Sequence, residues 1–470
     1  MAVKTVQAIT RDVKVLILGA GCSGLGAAVH FHKNNINDFL VVEGNDYIGG
    51  RVKSATFSGE TVALGAGSIH SADRNHKFYQ LSKKYGLRMV KDDYSAKNVV
   101  YRDMSNGTKY AEDIVTKEHG IFLSKLKLVD LMMERKTKQE GCYNIDLKKA
   151  LTEAGWTANN RLKKAIEYFI IEFENGEESV NMSAKNYSFT GQGYDGTDYI
   201  VADKRGYIHP LLEEIKPFQN KILLNHGVTM IEKLHGQKKY IAYFENGKSI
   251  TADYILTTFS SGVLQSNTVK FIPKLPTWKR EAFKMVPMSN YSRIFLKFEK
   301  KFWDDATYII FASNFGEKNY HWTNFKQKGL YPDTNILLAT ITGEASYKLQ
   351  HRSDKEIKEE LTRALKCVYP DTIEPSEMLH HNFSTDPRFM GAYSHHANDK
   401  TRDDVVALQH PVDQRLWFTG EYTADYELGY THIAYELGEQ QARNIIKCMN
   451  GQLPAAEPKF DMEEKSDNLD

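Results

Sequence analysis

The sequence predicts an α/β protein built on a Rossmann-like dinucleotide-binding unit. An aliphatic run from Val13 to Leu18 leads into the glycine cluster GAGCSG, and a helix pattern of small and apolar residues follows. A second apolar run, FLVV, ends at Glu43, nineteen residues after Gly24. Strand and helix patterns then alternate along a chain of 470 residues, a length with room for about two or three domains.

In chain order, residues 1–11 read as a loose arm, and residues 12–50 as strand, helix and strand. Residues 121–172 are mostly helical and charged. Between 198 and 260 come strand-like runs, among them KYIAYFENGKSITADYILTTF, which turns at Asn246-Gly247. The stretch SNYSRIFLKF reads as a strand with Tyr291, Arg293, Phe295 and Lys297 on one face. Ser292, Ile294, Leu296 and Phe298 share the other, and periodicity alone leaves open whether Arg293 is solvated or faces a buried site. A helix is expected at about 354–368, and GYTHIAYELGEQQARNIIKCMN predicts a long C-terminal one. The closing AAEPKFDMEEKSDNLD is polar, acidic and expected to be disordered.

Composition narrows the function classes. A net charge of +1 gives no global field favouring nucleic acid or an anionic membrane, so charged ligands must be recognised locally. The four cysteines, Cys22, Cys142, Cys367 and Cys448, form no CxxC pair, which argues against a zinc site or a disulfide framework. The pairs His380-His381 and His395-His396 lack a cysteine or carboxylate at ligand spacing, so no metal is expected. No apolar run approaches the roughly 20 residues of a membrane span. The opening MAVKTVQAITRDVKV lacks a signal-peptide core, which reads as cytoplasmic. Five N-x-S/T sequons, at Asn106, Asn181, Asn186, Asn290 and Asn382, would instead suit a secreted protein whose signal peptide had been removed.

The glycine cluster carries specific chemistry. Gly19 permits the tight turn, Gly21 lets backbone approach a pyrophosphate, and Gly24 lets helix and strand pack closely. The helix N-terminus offers free N–H groups to the phosphates. Glu43 is placed to accept bonds from an unphosphorylated adenosine ribose. Two further segments favour FAD over NAD. NDYIGGRV brings Gly49, Gly50 and Arg51 soon after Glu43, letting the chain pass close to the cofactor while a guanidinium meets phosphate. In LWFTGEYTADYELGYTHIAYELG a strand ends at Gly420-Glu421 and a helix begins near Tyr430. That arrangement suits Glu421 to a ribityl chain and the helix N-terminus to an electron-accepting ring.

These blocks, with IVADKRGY, ADYILTTFSSGVLQS, PKLPTWKREAF and RIFLKFEKKFW, resemble the flavin-containing amine oxidases. The likeness is closest to the plant-type polyamine oxidases and runs from about Val13 to Ile446. It implies a Rossmann-like FAD-binding domain (12–90, 198–265 and 386–450) interleaved with a mixed α+β substrate domain (91–197 and 266–385), then an acidic tail at 451–470. The implied chemistry is hydride transfer from a carbon beside an amine nitrogen to flavin N5. Hydrolysis of the imine follows, and dioxygen accepts the electrons to give hydrogen peroxide. The implied partner is a small-molecule amine, a polyamine or related secondary amine.

Residue by residue, the resemblance implies that Tyr393 and Tyr430 flank the substrate carbon, although both would also serve as core tyrosines. Ala392 stands where a cysteine would attach flavin covalently, so the FAD is expected to be non-covalent. Gly65, Ala66, Val228 and Thr431 complete the implied cofactor contacts. Glu172 and Phe173 match a tunnel carboxylate and its aromatic neighbour, and Tyr291 joins the substrate-binding set; Glu172 also reads as a solvated helical glutamate. In VALGAGSIHSADRN the pattern departs: plant-type members usually carry Trp and Glu where this chain has Ser68 and His70. His70 either bonds an amine or lines the cavity structurally. Phe383 replaces a common tryptophan. Arg293 stands where the family has a lysine that holds a water at flavin N5, so it is expected to face the flavin and to alter oxygen reactivity. Two other readings remain. One is oxidation or dehydrogenation of a different amine, such as an amino acid or alkaloid precursor. The other is an FAD-bound binding protein that has lost turnover, suggested by Arg293 and the altered loop.

Overall fold

The apolar strand after the N-terminal arm spans Ile9–Leu18. It lies between two parallel neighbours, Phe39–Val42 and Ser249–Thr257. A central parallel strand is covered on both faces, which explains its unbroken aliphatic sequence. Pairing of Ile9 and Arg11 with Ser249 and Ile250 takes residues 9–11 out of the expected loose arm. The structure, a computed structural model, describes residues 9–72, 76–95, 98–140, 144–190, 196–314, 316–327, 329–395, 397, 400–425, 427–452 and 454. The expected disordered tail lies outside them.

The first sheet has eight strands. Its order is Lys270–Ile272, Val228–Lys233, Tyr240–Phe244, Ser249–Thr257, Ile9–Leu18, Phe39–Val42 and Ile222–Leu223, with Leu416–Phe418 also pairing Ser249–Thr257. Gly247, at φ +78°, makes the predicted hairpin turn between Tyr240–Phe244 and Ser249–Thr257. Lys270–Ile272 pairs in parallel with Val228–Lys233, so this sheet continues past the boundary expected at residue 265. Four parallel strands end at Leu18, Val42, Thr257 and Phe418. Their carboxyl ends face one crevice, the place where open α/β sheets bind ligands.

The second sheet runs Glu377–His380, Tyr291–Lys297, Ile336–Thr342, Tyr320–Asn324, Tyr308–Ala312 and Val99–Asp103. The strand carrying Arg293 is covered on both faces: Ile294 and Leu296 pack with Trp322 and Leu337, and Phe295 packs with Phe325 and Leu338. Asp354–Val368 is the predicted helix, opened by a Ser353–Glu356 capping box. The charged 121–172 region resolves into helices Glu112–Glu140, Leu147–Glu153 and Arg161–Glu167, followed by a π-helical turn at Tyr168–Glu172. Lys279, inside the charged PKLPTWKREAF block, is 0% exposed. Its Nζ donates to the carbonyls of Ala407, Leu408 and His410 at 2.8, 2.8 and 2.7 Å, closing the C-terminal end of helix Arg402–Gln409. Among the described residues, no helix is long and apolar enough to cross a membrane.

Helix Cys22–Lys33 packs on the C-terminal helix, Thr431–Met449, through glycines. A Cβ on Gly26 would stand 2.3 Å from the Tyr435 carbonyl oxygen, and one on Gly438 would stand 2.0 Å from that of Ser23. This approach brings the two helix backbones into direct contact. Gly438→Ala forces the helices apart and is expected to cost about 1–3 kcal/mol, read as a lower thermal midpoint together with weaker flavin retention on gel filtration.

Candidate active site

A cavity of about 1120 Å³ begins at the carboxyl ends of the parallel strands and continues to the second sheet. Gly19, Gly21, Glu43, Gly50, Arg51 and Val228 line its first part. Gly19 has φ +117°, and a Cβ there would meet Thr258 Oγ1 at 2.3 Å, so no other residue fits the turn. Gly24 lies beneath the cavity wall; its Cβ would stand 1.9 Å from the Gly19 carbonyl oxygen, making it the close-packing glycine. Glu43 is buried, and its Oε2 accepts the Ala20 N–H at 2.8 Å. Its Oε1 accepts from Asn45 N and Nδ2 at 2.9 and 2.8 Å. A carboxylate has about four acceptor sites, so one remains for a ribose hydroxyl. Bare backbone at Gly19 and Gly21, the helix N-terminus behind them and a carboxylate beyond fit a dinucleotide such as FAD.

Arg51 and Glu421 also line the cavity, and they engage each other. Arg51 Nη1 lies 2.7 Å from Glu421 Oε1 and donates to the Ala392 carbonyl at 3.1 Å. Glu421 Oε2 accepts from Ser394 Oγ and, at 3.1 Å, from Gly429 N–H. Gly65 packs on this loop: its Cβ would stand 1.9 Å from the Arg51 carbonyl, to which Ala66 N–H donates at 3.1 Å. Gly420 and Thr431 line the wall nearby, with Tyr207 and Thr431 hydroxyls 2.9 Å apart.

The far part of the cavity is aromatic. Tyr291, Phe173, Tyr393 and Tyr430 line it together with His70 and Arg293. The Tyr291 and Tyr393 ring centroids are 5.8 Å apart, and those of His70 and Tyr430 are 5.5 Å apart. Gly429, at φ +87°, lets its turn lie against the Tyr393 ring, 3.1 Å from where its own Cβ would be. The Tyr393 hydroxyl donates to the Glu174 carbonyl at 3.0 Å, and the Tyr430 hydroxyl to Glu174 Oε1 at 3.1 Å.

Glu172 is not brought to this site. Phe173, Glu174 and Asn175 line the cavity; Glu172 ends the π-helical turn and does not. Successive helical residues point about 100° apart, so Glu172 and Glu174 cannot share a face, and it is the more exposed Glu174 that borders the cavity. Burial, with Glu178 and Glu167 nearby, pushes the Glu172 carboxyl up to about 8.

Sequence reasoning also missed two aspartates. Asp198 Oδ2 lies 3.4 Å from His70 Nδ1, while its Oδ1 accepts the Ser71 N–H at 2.7 Å. Burial presses His70 toward neutrality, but the Asp198 hydrogen bond and the charges of Glu174, Asp198 and Asp92 outweigh it and raise its pKa to about 9. Asp92 is 7% exposed; Oδ2 accepts the Tyr308 hydroxyl at 2.6 Å, and among the described residues Oδ1 has no hydrogen-bond partner. Nothing in KDDYS or GTDYI marks either acid, because only the folded chain sets Lys91, Asp92, His70 and Asp198 around one cavity end.

Arg293 turns its guanidinium into the cavity beside Gly67, Nη2 being 3.5 Å from where a Gly67 Cβ would stand. Its Nε is buried and among the described residues has no hydrogen-bond partner, and burial lowers its pKa from the usual guanidinium value. Phe383 lines the cavity as well. The histidine pairs diverge: His380 meets Asp354 and Asn382, His381 meets Asp386, and His395 meets Ser289. His396 lies outside the described residues, among which no group of three or more metal-ligand side chains gathers.

The model of the family described as flavin containing amine oxidoreductase matches residues 22–446. Polyamine oxidase 1 of Zea mays is 30% identical over 94% of this chain and 92% of its own length. Polyamine oxidase 6 of Oryza sativa subsp. japonica is 29% identical over 93% and 91%. The solved structure of a putrescine oxidase redesigned in its cofactor binding superposes with a TM-score of 0.74 at 16% identity, covering 93% of this chain and 99% of that one.

Asp198→Asn removes the hydrogen bond and one of the three charges that keep His70 protonated, leaving burial opposed only by Glu174 and Asp92. The His70 pKa is expected to fall from about 9 toward the ordinary imidazole value. NMR titration of histidine-labelled protein checks it. The raised pKa also fixes the sign of the stability effect. The contribution of the pair to folding is complete below the unfolded-state imidazole pKa and is lost as pH climbs through about 9.

Proposed function

The chain belongs to the flavin-containing amine oxidoreductases, and on that footing we propose that it oxidises a polyamine or related secondary amine, using non-covalent FAD. The observation that carries this reading is the acidic end of the aromatic cavity, where Asp92 and Asp198 lie beyond the tyrosines. An alkylammonium chain needs aromatic faces along its length and a carboxylate for each additional charge. Bound FAD would supply the two-electron acceptor for a carbon beside the amine nitrogen, yielding an imine for hydrolysis and, with dioxygen, hydrogen peroxide.

The glycine loop and the N-terminus of helix Cys22–Lys33 hold the pyrophosphate, Glu43 the adenosine ribose and Val228 the adenine. Gly50, Gly65, Ala66, Gly420 and Thr431 would complete the contacts to bound FAD. Cys22 is the thiol in the cavity lining, and burial pushes its pKa up to about 12. So protonated a thiol is a poor nucleophile, in keeping with non-covalent cofactor binding. Tyr393 and Tyr430 sandwich the reacting carbon, with Tyr291 and Phe173 extending the apolar wall. Protonated His70 is neutralised by Asp198, which leaves the Asp92 carboxylate to draw a second ammonium toward that end.

A second reading rests on Arg293. A buried guanidinium facing a ligand cavity can clamp a carboxylate, which would favour an amino acid over a polyamine. Anaerobic mixing of the flavin-loaded protein with spermine, spermidine, their N-acetyl forms and amino acids separates the readings. Bleaching of the flavin band by a polyamine is expected. Bleaching by amino acids alone would establish the second reading, and a band that no amine bleaches would leave a binding protein without turnover.

Arg293→Lys tests the role of the guanidinium beside the flavin. Arginine stays charged and planar where lysine can lose a proton and hold a compact water. Flavin content is expected to be unchanged, while air reoxidises the reduced variant about tenfold or more faster than the parent protein. Equal reoxidation rates would refute the role.

A further inference from the structure

We propose that Glu174 performs two tasks in this cavity: its carboxylate binds the substrate ammonium nearest the aromatic pair, and its hydrogen bonds fix the two tyrosine rings. The inference rests on the reading of the cavity as an amine-oxidation site and names the residue that sets charge recognition there. Glu174 lines the cavity, and its Oε1 already accepts the Tyr430 hydroxyl at 3.1 Å. A phenol is a neutral donor, so this bond leaves the negative charge in place for a cationic ligand at the second oxygen.

The backbone of the same residue controls the other ring. The Tyr393 hydroxyl donates to the Glu174 carbonyl at 3.0 Å. One residue therefore holds both tyrosines, one through its side chain and one through its main chain. The strap that carries it is fixed on either side. Gly176 N–H donates to the Glu172 carbonyl at 2.8 Å, and the Gly176 carbonyl accepts from Gly343 N–H at 3.1 Å. Gly176 has φ +67°, and a Cβ there would stand 2.7 Å from the Tyr393 hydroxyl and 3.0 Å from Ser289 Cβ. The strap thus lies directly on the Tyr393 ring, with no room for a larger residue. The charge of Glu174 also contributes to the raised pKa of His70.

Two substitutions separate the tasks. Glu174→Gln keeps an acceptor for Tyr430 and removes the charge; Glu174→Ala removes both and leaves the backbone bond to Tyr393. Anaerobic stopped-flow mixing of the flavin-loaded proteins with spermidine yields an apparent Kd and a limiting rate of flavin bleaching. For Glu174→Gln the Kd is expected to rise about tenfold with the limiting rate within about twofold of the parent. For Glu174→Ala the Kd rises equally and the limiting rate also falls about tenfold, a fall that Tyr430→Phe reproduces with an unchanged Kd. A parental Kd in Glu174→Gln overturns the anchoring role. A parental limiting rate in Glu174→Ala overturns the positioning role. Failure of every amine to bleach the parent protein would instead count against amine oxidation. Diaminooctane, titrated by its perturbation of the flavin spectrum, then tests the anchor without turnover: equal affinity for the parent and Glu174→Gln overturns it.

Discussion

The ion pair between Arg51 and Glu421, 2.7 Å long, joins parts of the chain that no local pattern connects. Arg51 belongs to the loop after the second parallel strand, and Glu421 follows the strand Leu416–Phe418. Through Ala392 and Ser394 the pair reaches the short strand that bears Tyr393, and through Gly429 it reaches the turn before Tyr430. Glu421 is 3% exposed, so its charge is tolerable only because each oxygen is met by a donor. Buried pairs of this kind contribute less to net stability than to choosing one arrangement over others. Here the arrangement chosen sets both tyrosines at the end of the dinucleotide crevice.

Charge is distributed unevenly around that end. Asp92, Asp198 and Glu174 come from three separate segments, with the His70 imidazolium among them, whereas Arg293 enters from the second sheet beside Gly67. His321, packed near Phe173, adds no second cation: burial and the neighbouring Arg293 push its pKa down to about 3. The cavity therefore has a cationic wall and an acidic wall with aromatic rings between them. An amine finds stabilisation on the acidic side, while a group that becomes more negative during reaction finds it beside Arg293.

The dinucleotide crevice was legible in the sequence because its determinants are local. Gly19, Gly21 and Gly24 lie within a single turn, and their constraints follow from backbone geometry alone. The long C-terminal helix and the Asn246-Gly247 hairpin were legible for the same reason. The acidic wall was not. A π-helical turn at Tyr168–Glu172 shifts the helical phase, so spacing could not tell that Glu174 rather than Glu172 faces inward. Asp92 and Asp198 acquire meaning only through the pairing of Met89–Lys91 with Thr197–Val201. Lys279, between Trp278 and Arg280, was not singled out by its sequence, and it is buried where three helix-end carbonyls offer acceptors to its Nζ. Arg51 and Glu421 both line the cavity, but their mutual pairing spans 370 positions and leaves no sequence signal.

This division between local and assembled features has a functional consequence. The glycine loop, Glu43 and the crossing helices are bound by steric limits that admit few substitutions, as the 2.0–2.3 Å approaches at Gly26 and Gly438 require. The acids and Arg293 sit on separate segments that meet only at the cavity, and none of them lies in the glycine turn. The departures at Ser68, His70 and Arg293 fall on this assembled side. All three line the cavity, and none belongs to the glycine turn.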